Sequence, residues 1–70
     1  MKICFLGCGN IAKAIINGLL KSGISSSDIY CIERNEQRVE SLKKQKLQII
    51  ELENLTSMDF DLIVLAVKPK

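Results

Sequence analysis

Polarity along the chain switches between two periods. Ile3-Cys4-Phe5-Leu6 is an unbroken apolar run, the signature of a strand buried on both faces of a parallel sheet. Gly7 and Gly9 end it. From about Asn10 to Ser22 the apolar positions recur at helical spacing, and Ala12, Ile15, Ile16 and Leu19 are predicted to form the buried face. Gly23 suits a left-handed C-cap, with Ile24 folding back on the last turn. The serines at 25–27 read as a loop, and Ile29 to Ile32 as a second short strand. Asn35 is a fit N-cap for a second helix, Glu36 to about Lys46. There Val39 and Leu42 face inward, while Arg38, Glu40, Lys43 and Lys44 make a solvated face. Leu47 to Glu51 alternates as an edge strand would. Asn54 to Met58 reads as a short helical turn. Leu62 to Val67, apolar and partly β-branched, is the strongest strand pattern, and Pro69 stops it.

Strands alternating with helices argue for an α/β fold with a parallel sheet and right-handed crossovers. No repeat, linker or low-complexity stretch divides the chain, so its 70 residues form one unit. Phe5, Tyr30 and Phe60 are the only aromatics, which makes the core aliphatic. A net charge of +2 is too weak to point to nucleic acid or a membrane surface. No apolar run approaches the roughly 18 residues of a membrane helix. With the first strand starting near Lys2 there is no room for a leader, and the chain reads as cytoplasmic.

Cys4, Cys8 and Cys31 form no Cys-x-x-Cys pair, and histidine is absent from the sequence, so no metal site is expected. The three read as small buried hydrophobes in a reducing compartment. Cys8 differs in lying inside the glycine turn at a helix start, a setting that can lower a thiol pKa, but no base accompanies it.

The chemistry concentrates in Gly7-Cys8-Gly9-Asn10-Ile11-Ala12, a G-x-G-x-x-A turn. In a dinucleotide fold each position has a job. Gly7 permits the tight turn off the strand. Gly9 lets a pyrophosphate approach the backbone, and Ala12 lets the helix pack close to the sheet. The free N–H groups of the first helical turn then face the anion. The motif alone is weak, but here it follows a buried strand and opens an amphipathic helix. An acid also ends the next strand: Glu33 lies 21 residues past Ala12, close to the ~20 of a ribose-binding acid. These features predict a Rossmann-like parallel sheet in the order 3-2-1-4, with helices on both faces. Its ligand cleft would lie at the ends of strands 1 and 4, Leu6-Gly7 and Val67-Lys68. Glu33 favours the free ribose hydroxyls of NAD. Arg34, assisted by Asn35, favours the 2′-phosphate of NADP, and the two pull in opposite directions.

The stretches KICFLGCGNIAKAIINGLLKSGI, DIYCIERNEQRVESL and DLIVLAVKP resemble the N-terminal part of pyrroline-5-carboxylate reductases, over essentially all 70 residues. The resemblance implies a NADP(H)-binding unit, or alternatively one for NAD(H), in an enzyme that makes proline by reducing a cyclic imine. By it, Leu6, Gly7, Cys8, Gly9, Asn10 and Ile11 would wrap the pyrophosphate. Glu33, Arg34 and Asn35 would meet the adenosine ribose. Ala66, Val67, Lys68 and Pro69 would line the path toward the nicotinamide, and Asn54 would match the family's asparagine after strand 3. The family's chain is several times longer. Its remaining strands and its helical domain, which builds the dimer and the imine site, have no counterpart in these residues. Residues 1–70 are thus expected to be the N-terminal part of a dinucleotide-binding domain, without a catalytic residue and inactive alone. They are also expected to leave an exposed apolar edge on strand 4. A non-catalytic NAD(P)-binding module and the cofactor half of another β-hydroxyacid-type dehydrogenase are the alternative readings.

Overall fold

The computed structural model describes residues 1–66. It contains β1 (Ile3–Leu6), α1 (Asn10–Lys21), β2 (Ile29–Ile32), α2 (Glu36–Lys44), β3 (Gln48–Ile49) and β4 (Leu62–Leu65), with short 3-10 turns at Ser26–Asp28 and Leu52–Leu55. The four strands are parallel and ordered β3-β2-β1-β4. The register sets Ile3 beside Ile29 and Leu62, and Phe5 beside Cys31 and Val64. All strands therefore end on one edge, where β1 and β2 hand the chain to their helices.

The core lies on one side of this sheet. Ile3, Phe5, Ile29 and Cys31 pack with Ala12 and Ile16 of α1, Leu42 of α2, and the adjoining Cys8 and Leu47. The α/β class and the strand order stand as read. Among the described residues the helices do not flank both faces: both pack into this one core. The reason is directional. The chain steps from β1 to β2 to β3 the same way across the sheet, and right-handed crossovers taken in one direction fall on one face. The return from β3 to β4 reverses that direction, and among the described residues it holds only the turn at Leu52–Leu55.

Helix α1 ends as its sequence predicts. Gly23, at φ 104°, follows the Ser22 C-cap. The N–H of Ile24 then reaches the carbonyl of Leu19 at 3.1 Å, and that of Gly23 the carbonyl of Leu20 at 3.2 Å. This is the Schellman pattern, which satisfies the last carbonyls of the helix. Ile15, expected in the buried face, is exposed. The packed stripe runs through Ala12, Ile16, Leu19 and Leu20, and Ile15 falls on its flank.

The second helix stops two residues before its expected end. Leu47 N–H bonds to Leu42 O at 3.2 Å and Lys46 N–H to Lys43 O at 2.9 Å, with Lys46 at φ 63°. It is the same Schellman pattern with a lysine in the left-handed place, so no glycine announced it. The third strand has two residues rather than five, and the turn expected at Asn54–Met58 forms earlier. Strand β4 lies at the sheet's edge, with Leu62, Ile63 and Leu65 exposed, so the strongest strand pattern is the least covered.

Candidate cofactor site

The glycine turn grows directly out of the sheet. Gly7 N–H bonds to Ile32 O at 3.0 Å, one step beyond the last paired residues of β1 and β2. Gly7 then takes φ 85°, a left-handed value that glycine adopts without strain and that swings the chain off the strand. Cys8 turns its side chain into the core, where it is fully buried. Gly9 is the N-cap of α1, at φ −82° and ψ −164°.

Gly9 is informative because the protein's own packing does not require it. Its backbone is open to any residue, and a Cβ placed there would meet nothing within 4 Å. A side chain would instead occupy open space in front of the helix. Asn10 and Ile11 are exposed at that same N-terminus, and α1 has no side-chain cap. Its first N–H groups, with the positive end of the helix dipole, face that space uncapped. The turn therefore leaves uncapped N–H groups and open space at the helix start, the two features an anion site requires.

Beside it, over the C-terminal ends of the strands, lies a two-lobed groove. One lobe, ≈ 320 Å³, is lined by Leu6, Gly7, Ile32, Glu33, Arg34 and Leu52. The other, ≈ 440 Å³, is lined by Ile32, Glu33, Arg34, Ile50, Glu51, Leu52 and Glu53. Ile32, Glu33, Arg34 and Leu52 border both. The lining mixes apolar side chains (Leu6, Ile32, Ile50, Leu52) with charged ones (Glu33, Arg34, Glu51, Glu53), which suits the flat apolar faces and polar edge of a purine nucleoside.

Glu33 ties groove to turn. Its Oε2 accepts the N–H of Cys8 at 2.9 Å. Its Oε1 accepts the N–H of Asn35 at 3.2 Å and lies 3.8 Å from Nη1 of Arg38. Burial pushes the carboxyl pKa up, but the N–H bonds from Cys8 and Asn35, with Arg38 nearby, outweigh it. The net effect holds Glu33 below the usual carboxylate range.

The other predicted residues divide clearly. Arg34 is exposed on the groove wall. Asn35 caps α2 through its side-chain oxygen, which accepts the N–H of Arg38 at 3.1 Å. Asn54 lines neither lobe; its Oδ1 accepts the N–H of Glu51 at 3.0 Å in a reciprocal capping box. Ala66 sits beside the turn, its N–H on Leu6 O at 2.9 Å. Val67, Lys68 and Pro69 lie outside the described residues. Ile32, Ile50, Glu51, Leu52, Glu53 and Arg38 belong to the site or its support and were not singled out from the sequence. Leu52, an exposed leucine between two glutamates, was the one local signal available.

The cysteines behave as core residues. All three are free and buried. The neighbouring Cys8 side chain, together with burial, pushes Cys31 far above the usual thiol range. Burial raises Cys4 as well. Among the described residues no cluster could hold a metal ion, and no helix is long and apolar enough to cross a membrane.

A glycine turn that opens onto an uncapped helix, at the carboxyl edge of a parallel sheet ordered 3-2-1-4, defines a Rossmann-like dinucleotide-binding unit. The chain belongs to the family described as "NADP oxidoreductase coenzyme F420-dependent", whose model matches residues 2–70. It is 35% identical to a pyrroline-5-carboxylate reductase of Pasteurella multocida (97% of this chain, 26% of the relative). It is 40% identical to pyrroline-5-carboxylate reductase 2 of Bacillus subtilis (99% and 26%). The value is 31% for a pyrroline-5-carboxylate reductase of Pseudomonas aeruginosa (99% and 26%). The chain spans about a quarter of the length of these relatives. It is an NADP-binding unit homologous to pyrroline-5-carboxylate reductases, the family that its sequence motifs resemble.

Proposed function

We propose that these residues form the NADP(H)-binding part of a cytoplasmic reductase that converts 1-pyrroline-5-carboxylate to proline. The observation that carries the cofactor role is the open cradle at Gly9, where neither backbone angle nor packing asks for glycine. The substrate assignment rests on the similarity to named pyrroline-5-carboxylate reductases. When bound, the nicotinamide supplies a hydride to the imine carbon. The chain's own residues place the cofactor. The turn from Leu6 to Ile11 holds the pyrophosphate on backbone N–H groups. Arg34 and Asn35 stand at the adenosine end beside Glu33. Ile32, Ile50 and Leu52 offer the adenine apolar surface. Ala66 stands beside the turn, and it opens the Ala66-Val67-Lys68-Pro69 segment that the resemblance assigns to the nicotinamide path.

The exposed apolar side chains of β4 support a sheet that further strands complete in the whole protein. The imine site and a dimer interface would lie in that remainder. Calorimetric titration of the chain with NADPH and NADH tests the cofactor role. The substrate is tested by assaying the whole-length protein with 1-pyrroline-5-carboxylate against β-hydroxy acids. Turnover of the hydroxy acids alone would replace the proline reading with that of another dehydrogenase.

A further inference from the structure

Both carboxylate oxygens of Glu33 are already engaged by the protein. In the parallel ladder Gly7 N–H takes Ile32 O, and the next peptide N–H, that of Cys8, has left the strand. Among the described residues no backbone carbonyl meets it; the Glu33 carboxylate does, at 2.9 Å. The other oxygen takes Asn35 N–H at the start of α2 and faces Arg38. The side chain is only 8% exposed although its residue borders the groove. A ribose ligand needs its oxygens turned to the ligand. These are turned to the backbone, and their charge is balanced there before any cofactor arrives.

We infer that Glu33 is a positioning residue, whose carboxylate latches the glycine turn to the end of β2 and so fixes the backbone that receives the pyrophosphate. The latch serves dinucleotides with or without a 2′-phosphate, because it acts on the turn and not on the ribose. It also explains how an acid can sit beside an anion site. Two N–H donors and a guanidinium spend the charge within the protein, so little of it repels the incoming phosphates. Recognition at the ribose falls to Arg34 on the open wall.

The inference rests on the dinucleotide reading, and its test separates the two. In 15N-labelled protein without cofactor, Glu33→Ala is expected to shift the Cys8 and Asn35 amides and to speed Cys8 amide exchange by about tenfold or more. Glu33→Gln keeps an oxygen acceptor and restores part of both. Titration then compares NADH with an analogue lacking both adenosine ribose hydroxyls. As a latch, Glu33→Ala raises the Kd of both by the same factor, about tenfold. A Cys8 amide that does not respond, or a penalty seen with NADH and lost with the analogue, overturns the latch. Should Glu33→Ala fail to fold, the same two readings are taken from Glu33→Gln. If the unsubstituted chain binds neither NADH nor NADPH, the cofactor reading fails, and the amide spectra still decide the latch.

Discussion

The carboxylate Oε2 of Glu33 stands 2.9 Å from the backbone nitrogen of Cys8, joining the end of β2 to the first peptide of the glycine turn. Because the folded state holds this carboxyl below its ordinary pKa, the unfolded chain binds its proton more readily. The sign follows. The contribution is fully present above the unfolded value, near pH 4.5, and is lost as pH falls through the lower folded value. Glu33→Gln should cost up to about 1.5–3 kcal/mol at neutral pH, the range for hydrogen bonds to a charged group. The cost should shrink below about pH 4. Urea denaturation of both proteins from pH 7 to pH 3 measures it, and a difference that stays constant with pH would show that the charge contributes nothing.

At Gly9 fold and function separate. Its extended backbone is the one an N-cap serine adopts, and a serine there can accept an N–H bond that glycine cannot. Gly9→Ser should leave the melting temperature unchanged or raise it slightly, within a few tenths of a kcal/mol. On the proposed function the same Cβ and hydroxyl would stand where the pyrophosphate approaches, so NADPH affinity should fall about tenfold or more. Thermal denaturation and calorimetry on one sample check both. Unchanged affinity in the folded variant would remove the turn from phosphate binding.

Much of this was legible in local pattern, and the failures share a cause. Strands β1 and β2 occur over their expected residues, since an apolar run between glycines or polar caps has one local solution. Asn35 and Gly23 act as the caps their chemistry suggests, because capping needs only neighbours in sequence. The acid at position 33 was found by spacing, but its bond to Cys8 was not, because that bond crosses between strands. The exposure of β4, the gathering of both helices on one face, and Leu52 over the groove depend on what lies beside each element in space. Hydrophobic period carries no such information: it records that Leu62 to Leu65 wants cover, not whether these residues supply it.

The end of α2 is a local feature that the sequence disguised. Lys46 occupies the left-handed position of a Schellman turn, where a side chain costs about 1–2 kcal/mol that glycine avoids. Glycine returns part of the gain through the greater freedom of the unfolded chain. Lys46→Gly should therefore stabilise the protein by about 0.5–1 kcal/mol, with cofactor affinity unaltered. Lys46→Val should destabilise it, a β-branched residue being least tolerant of positive φ. Chemical denaturation of the pair is the check. A destabilised glycine variant would mean that the Lys46 side chain contributes more than its backbone costs.

Arg34 is placed to decide which dinucleotide is preferred. It follows Glu33 directly, is exposed, and borders both lobes of the groove. With Glu33 engaged by Cys8 and Asn35, Arg34 is the cation among the residues lining either lobe, and Glu51 and Glu53 line the larger lobe with it. A 2′-phosphate entering there gains a planar, bidentate partner, whereas a ribose hydroxyl gains little from it. Arg34→Ala should weaken NADPH by about 1.5–3 kcal/mol, roughly 10–100-fold, and NADH by far less. Arg34→Lys should recover only part, because an ammonium offers a point charge without the fork. The advantage of NADPH over NADH should also decline as salt is raised from 0.05 to about 0.5 M, since the pair forms at an open wall that ions can screen. Equal losses for the two cofactors in Arg34→Ala would place the 2′-phosphate elsewhere in the groove.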